Sequence, residues 1–106
     1  MSKMIKAVIK RPNSKPYMIR LDGSLEVLQV TVGGYIEIVP IASDLVVICD
    51  EEGKLKGKPY NCTICGEPFV GDLIFCGVDG EDLADLPCDF SVFKTVFRNL
   101  WEEVSA

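Results

Sequence analysis

The sequence predicts an α+β fold: a mixed, mostly antiparallel sheet of about five strands, with a short helix and a C-terminal amphipathic helix packed on it. Three observations carry this. In TVGGYIEIVPIASDLVVICD (31–50), two glycines stop a helix and two consecutive strand patterns follow. Leu45-Val46-Val47-Ile48-Cys49 is apolar without alternation, which in so short a β-branched run indicates a strand covered on both faces. Phe90, Phe93, Val96, Phe97, Leu100, Trp101 and Val104 recur at helical spacing, opposite Lys94, Arg98, Glu102 and Glu103.

Taken in order, Ile5, Ala7 and Ile9 alternate with Lys6 and Lys10, the pattern of a strand with one wet face. Pro12-Asn13-Ser14-Lys15-Pro16 is a turn by composition, and Tyr17, Ile19 and Leu21 alternate after it, so the two runs form an antiparallel hairpin. Asp22-Gly23-Ser24 offers an N-cap ahead of Leu25, Leu28 and Val32, which share one helical face. Gly33 and Gly34 end that helix, because glycine takes the left-handed conformation of helix ends without a Cβ penalty. Tyr35, Glu37 and Val39 alternate with Ile36 and Ile38, and Pro40 is expected to end the strand. The run at 45–49 is read as the central strand. Beyond a turn at 50–54, Gly57, Pro59, Gly66 and Pro68 break any period, and a loop of about 14 residues is expected over 55–68. Leu73-Ile74-Phe75-Cys76 is a second buried strand, and 81–86 is expected to form one helical turn before Pro87. Asp89 is placed to cap the last helix.

A chain of 106 residues makes one domain over 1–106, and its 48% hydrophobic content marks it as globular. No stretch of about 18 apolar residues is present to span a bilayer, and the N-terminus lacks the uninterrupted apolar run of a signal peptide. Cytoplasmic residence is therefore expected, with the five cysteines reduced. The net charge of −5 and a pI near 4.6 exclude a broad phosphate-binding surface, so duplex nucleic acid and membranes are not expected partners. Charge is uneven: residues 1–20 carry six bases and no acid, whereas Asp79, Glu81, Asp82, Asp85 and Asp89 have no base among them. Solvated surface is the expected role of both blocks, and docking of a basic partner is the sharper reading of the acidic one.

Chemistry has few places to sit. Cys62-Thr63-Ile64-Cys65-Gly66 has the spacing of half a zinc site, but closing a tetrahedral centre would need two thiolates from Cys49, Cys76 and Cys88, since histidine is absent. No cofactor is expected, and Cys62 and Cys65 are read as thiols rather than ligands. The missing histidine removes the commonest general base, Asp50-Glu51-Glu52 reads as a solvated turn, and Gly33-Gly34 precedes a strand where a phosphate loop precedes a helix. An enzyme is therefore not the expected class.

Leu25, VGGYIEIVP at 32–40, DEEGKLKGKPYN at 50–61 and GDLIFCG at 71–77 with an acidic turn behind it resemble a family of small proteins from Gram-positive bacteria, their phages and conjugative or integrative elements, classed as a domain of unknown function. The resemblance covers roughly 4–100 and rests on turn and strand motifs, which specify fold better than chemistry. In that family an asparagine usually opens the Glu-Glu-Gly-Lys turn, where this chain has Asp50, and the cysteine pair lies outside the pattern. The resemblance implies a mobile-element accessory role.

The expected function is a non-enzymatic binding module for a host or element-encoded protein. The alternatives are a small-ligand or nucleotide-sequestering protein, with Tyr35, Glu37, Asp50 and Asn61 as the rim of its site, and a zinc-stabilised structural module. Two doubly covered strands with two helices to cover them also lead to the expectation of a homodimer.

Overall fold

The computed structural model describes residues 3–102 and 104. The sheet follows from the hydrophobic runs read above. Strands β1 (Met4–Lys10) and β2 (Tyr17–Asp22) form the expected hairpin, pairing from Met4↔Asp22 to Ile9↔Tyr17. Helix α1 (Leu25–Val32) is capped by the Ser24 side chain, which accepts from the Val27 N–H, and ends on Gly33 at φ 81°, whose N–H returns to the Gln29 carbonyl. Strands β3 (Ile36–Ala42) and β4 (Leu45–Asp50) follow as an antiparallel pair. After the turns come a short hairpin, β5 (Tyr60–Ile64) and β6 (Glu67–Val70), then β7 (Leu73–Asp79), β8 (Asp82–Ala84), α2 (Phe90–Val96) and α3 (Asn99–Glu102).

The main sheet has the order β2-β1-β7-β4-β3, β8 pairs with the far end of β7, and every pairing is antiparallel. Its two faces carry separate cores. On one face Ile9, Val46, Ile48 and Ile74 meet Leu28 and Val32 of α1. On the other Val8, Val47, Leu73 and Phe75 meet Cys62, Ile64 and Phe69 of the hairpin together with Phe93 and Leu100. The Phe75 and Phe93 rings sit edge to face at 5.3 Å, a favourable aromatic geometry. No helix among the described residues is long and apolar enough to cross a membrane.

Several expectations are corrected. The central strand is β7, because the chain returns after the hairpin to lie between β1 and β4; β4 is interior and buried along its whole length. Residues 60–70 form a hairpin in the stretch expected to be loop, and its Cys65-Gly66 corner has φ 52° and 79°, the double positive φ of a two-residue turn. That hairpin covers the face of β1 expected to be wet, so Lys10 is buried, its Nζ donating to the Arg11 carbonyl at 2.8 Å. Residues 82–84 extend the sheet instead of forming a helical turn, since β1 leaves the end of β7 open to pairing. The C-terminal helix breaks at Phe97, where Asn99 Nδ2 donates to the Thr63 carbonyl at 3.0 Å and ties the break to β5. Asp89 is the N-cap residue of α2 but makes no side-chain capping bond. Glu103 lies outside the described residues.

Strand β3 runs past Pro40 to Ala42, and the reason fixes the geometry of the sheet edge. The Glu51 N–H donates to the Tyr35 carbonyl at 2.8 Å, so Tyr35 faces β4. Alternation in the unbroken register from Ile36↔Asp50 to Pro40↔Val46 then turns the amides of Glu37 and Val39 inward and those of Ile36, Ile38 and Pro40 outward. Proline is tolerated at 40 because its missing N–H would have faced solvent.

Candidate functional site

Asp50 and Glu37 occupy neighbouring strands at the same end of the sheet, and each builds one side of it. The Asp50 side chain, opposite Ile36, turns toward α1 and is 1% exposed. Its Oδ2 accepts from Lys56 Nζ at 2.8 Å and Lys58 Nζ at 2.7 Å, and its Oδ1 from the Glu52 N–H at 2.9 Å. Lys58 Nζ also donates to the Val32 carbonyl at 2.7 Å and the Gly33 carbonyl at 3.3 Å, and Lys56 Nζ reaches Gly33 at 3.3 Å. The last turn of α1 holds no basic residue, so the 50–58 segment supplies the cations that its unpaired carbonyls and dipole favour. A Cβ at Gly34 would lie 2.6 Å from both Asp50 Oδ1 and Lys56 Nζ, which explains the second glycine. Burial alone pushes the Asp50 carboxyl up, but the hydrogen bonds from Lys56, Lys58 and Glu52 outweigh it and hold the group well below the usual carboxylate range. The same bond to Asp50 raises the Lys56 ammonium.

Asn61 is also committed to the fold. It is buried in β5, and its Nδ2 donates to the carbonyls of Lys10 at 2.8 Å and Gly71 at 2.7 Å, joining β1 to the turn before β7. Its Oδ1 has no partner among the described residues. The four expected site residues are thus divided: Asp50 and Asn61 anchor the interior, Tyr35 stands 67% exposed at the start of β3, and Glu37 is exposed on the opposite face of the sheet from the Asp50 carboxylate.

Glu37 opens onto a cleft of about 260 Å³ between the β3–β4 pair, the 51–55 turn and β6. Val39, Leu55, Phe69 and Val70 give it apolar walls, and Glu37, Glu51 and Glu67 stand around it against one cation, Lys54. Lys54 reaches Glu67 at 3.7 Å, an exposed pair worth little in water. Cys49 lies beside Glu37, its Sγ donating to Oε1 at 3.9 Å, and burial aided by Glu37 and Asp50 pushes this thiol up to about 11. Burial likewise takes Cys76 up to about 11 and raises Cys88, so these three thiols stay protonated at neutral pH and lack nucleophilic thiolate character. A wider groove of about 820 Å³ runs between the start of α1 and β8, walled by Asp22, Glu26, Glu81 and Asp82 with Lys3. Ile5 and Leu83 are its apolar residues, and its walls are otherwise polar.

The Cys62–Cys65 pair is split by the hairpin, Cys62 pointing into the core and Cys65 exposed at the turn. Among the described residues no three Cys, Asp or Glu side chains come together as metal ligands. Of the other residues lining the cleft, Lys54 reads in the sequence as part of the 50–54 turn, Leu55 and Glu67 fall in the expected loop over 55–68, and Phe69 follows it. The signal that identifies them is the alternation of Cys62 and Ile64 before Cys65-Gly66 with Phe69 beyond, a hairpin pattern around an unusual turn pair.

Compared with curated proteins and with solved structures, the chain has no match. The model of one protein family, described as a domain of unknown function (DUF3846), matches residues 5–98, a range that includes both the Asp50 cluster and the β5–β6 hairpin. The chain belongs to that family.

Proposed function

We propose that this protein is a non-enzymatic binding module that takes hold of a partner protein, encoded by the host or by the mobile element that carries the gene, along the free edge of β3. The carrying observation is the edge itself: Ile36 and Ile38 present outward N–H and C=O groups beside the exposed side chains of Tyr35 and Ile38, the latter 45% exposed. An exposed edge strand is a ready template for an added strand, and such edges are commonly blunted by charge or proline. Here Pro40 closes one end only, and Glu37 is the sole charge on β3.

A test that targets this edge uses Ile38→Pro, which deletes an outward donor and leaves the bonds to β4 in place. Affinity capture from host lysate should recover a partner with the wild-type protein and lose it with the variant, while thermal melting shows both to be folded. Equal recovery by both, or no partner together with turnover of a metabolite pool, would overturn the reading.

A small ligand held in the cleft is the second reading, favoured by its apolar walls. Its carboxylates repel nucleotide phosphates and favour a cation. Thermal shift separates the two readings, because a ligand at 100 times its dissociation constant adds about 2.7 kcal/mol to stability.

A further inference from the structure

We infer that the segment taken by the β3 edge is an extended basic peptide, one of whose lysine or arginine side chains enters the cleft beside Glu37; this rests on the edge-binding reading above. Glu37 and Val39 point to the face that also holds Cys49 and, across the cleft, β6. A strand added beyond β3 directs alternate side chains to that same face, so every second residue of the guest is aimed at the cleft and the others at the α1 side.

The cleft specifies what it takes. Its walls of Val39, Leu55, Phe69 and Val70 suit an aliphatic stem, and its carboxylates, three against the single ammonium of Lys54, suit a cation at the tip of that stem. Lysine and arginine have this division between an apolar shaft and a charged end. Asp50 adds no free charge, being neutralised by Lys56 and Lys58 on the other face. Leu55, 86% exposed above the cleft, is placed to close over the stem. With amides offered only at Ile36 and Ile38 and no donor at Pro40, the edge holds a guest of about four residues in strand form. So short a ladder leaves specificity to the side chain in the cleft. The −5 net charge of the chain favours approach of a basic partner.

Selection of random dodecapeptides displayed on phage against the purified full chain tests this. Recovered sequences should alternate apolar residues with at least one lysine or arginine in the facing register, and peptide should slow exchange of the Ile36 and Ile38 amides. Glu37→Gln and Glu67→Gln should each weaken binding by up to about fivefold, as exposed ion pairs do, with the loss shrinking in high salt. Recovered peptides that protect Ile36 and Ile38 but are acidic, or that bind both variants as tightly, sink the basic segment and leave edge binding standing. Recovery of no peptide, or of peptides that leave those amides unprotected, overturns the inference, and only the Ile38→Pro capture then decides edge binding. Protection of Ile36 and Ile38 without peptide, together with a dimer in sedimentation, assigns the edge to a second copy and overturns the inference as well.

Discussion

Asp50 and Glu37 are separated by one step of register on adjacent strands, yet they have opposite fates. Asp50 is sealed under Lys56 and Lys58, with a backbone N–H on its second oxygen and the end of α1 held by the same lysines. Glu37 stands exposed at the mouth of a cleft, with a weakly donating thiol, that of Cys49, beside its carboxylate. The comparison separates a polar cluster whose hydrogen bonds are made within the chain, and which therefore holds the fold together, from an edge whose amides and carboxylates are still open to a partner. Gly33-Gly34 and the lysine-rich 50–58 segment belong to the first kind.

The two regions should respond oppositely to mutation. Asp50→Ala leaves two ammonium groups crowded at one site without their carboxylate, and removing one partner of a buried charge cluster should lower stability by about 3 kcal/mol or more, measured by urea unfolding at neutral pH. Gly34→Ala forces a methyl against the Asp50 carboxylate and should cost about 1–3 kcal/mol by the same measurement.

Acid should open the same cluster. The Asp50 carboxyl lies below the unfolded value of about 3.9, so its stabilising contribution is complete above that pH and is lost as pH falls through the folded value. Melting curves between about pH 6 and pH 2 should therefore fall more steeply for the wild type than for Asp50→Asn, and parallel curves would show that the Asp50 charge does not bear on stability.

The edge should give the smallest stability changes and the largest functional ones. Ile38→Lys should shift stability by no more than about 0.5 kcal/mol, because Ile38 is half exposed and its amide bonds no neighbour in the ladder, yet it should abolish partner capture. A large loss of stability in this variant would mean that β3 depends on the Ile38 side chain and is not a free surface.

What the sequence disclosed and what it hid divide along the same line. Ser24, Gly33, the β3–β4 pair and the buried runs Leu45–Cys49 and Leu73–Cys76 are legible because local conformation and short-range periodicity determine them, whereas the strands run on to Asp50 and Asp79, into stretches that read as turns. Lys56 and Lys58 were not singled out, since their partners Val32 and Gly33 lie 23–26 residues away and no local pattern marks a lysine that caps a distant helix. The β5–β6 hairpin was hidden for a related reason: strands of five and four residues, one containing Pro68, are held by packing of Cys62, Ile64 and Phe69 on the main sheet. Asp50 and Asn61, polar residues beside loops, look available in a sequence but are engaged by tertiary hydrogen bonds that no local pattern marks. For Glu37, strand alternation alone gives the outward orientation that the structure shows.

Residue-resolved amide hydrogen exchange of the isolated protein tests the open edge most directly. Ile36 and Ile38 should exchange quickly, while Glu37 and Val39, one residue along in each case, should be protected by their bonds to β4. Slow exchange at Ile36 and Ile38 without any partner present would mean that the edge is already covered, and the binding site proposed along it would have to be abandoned.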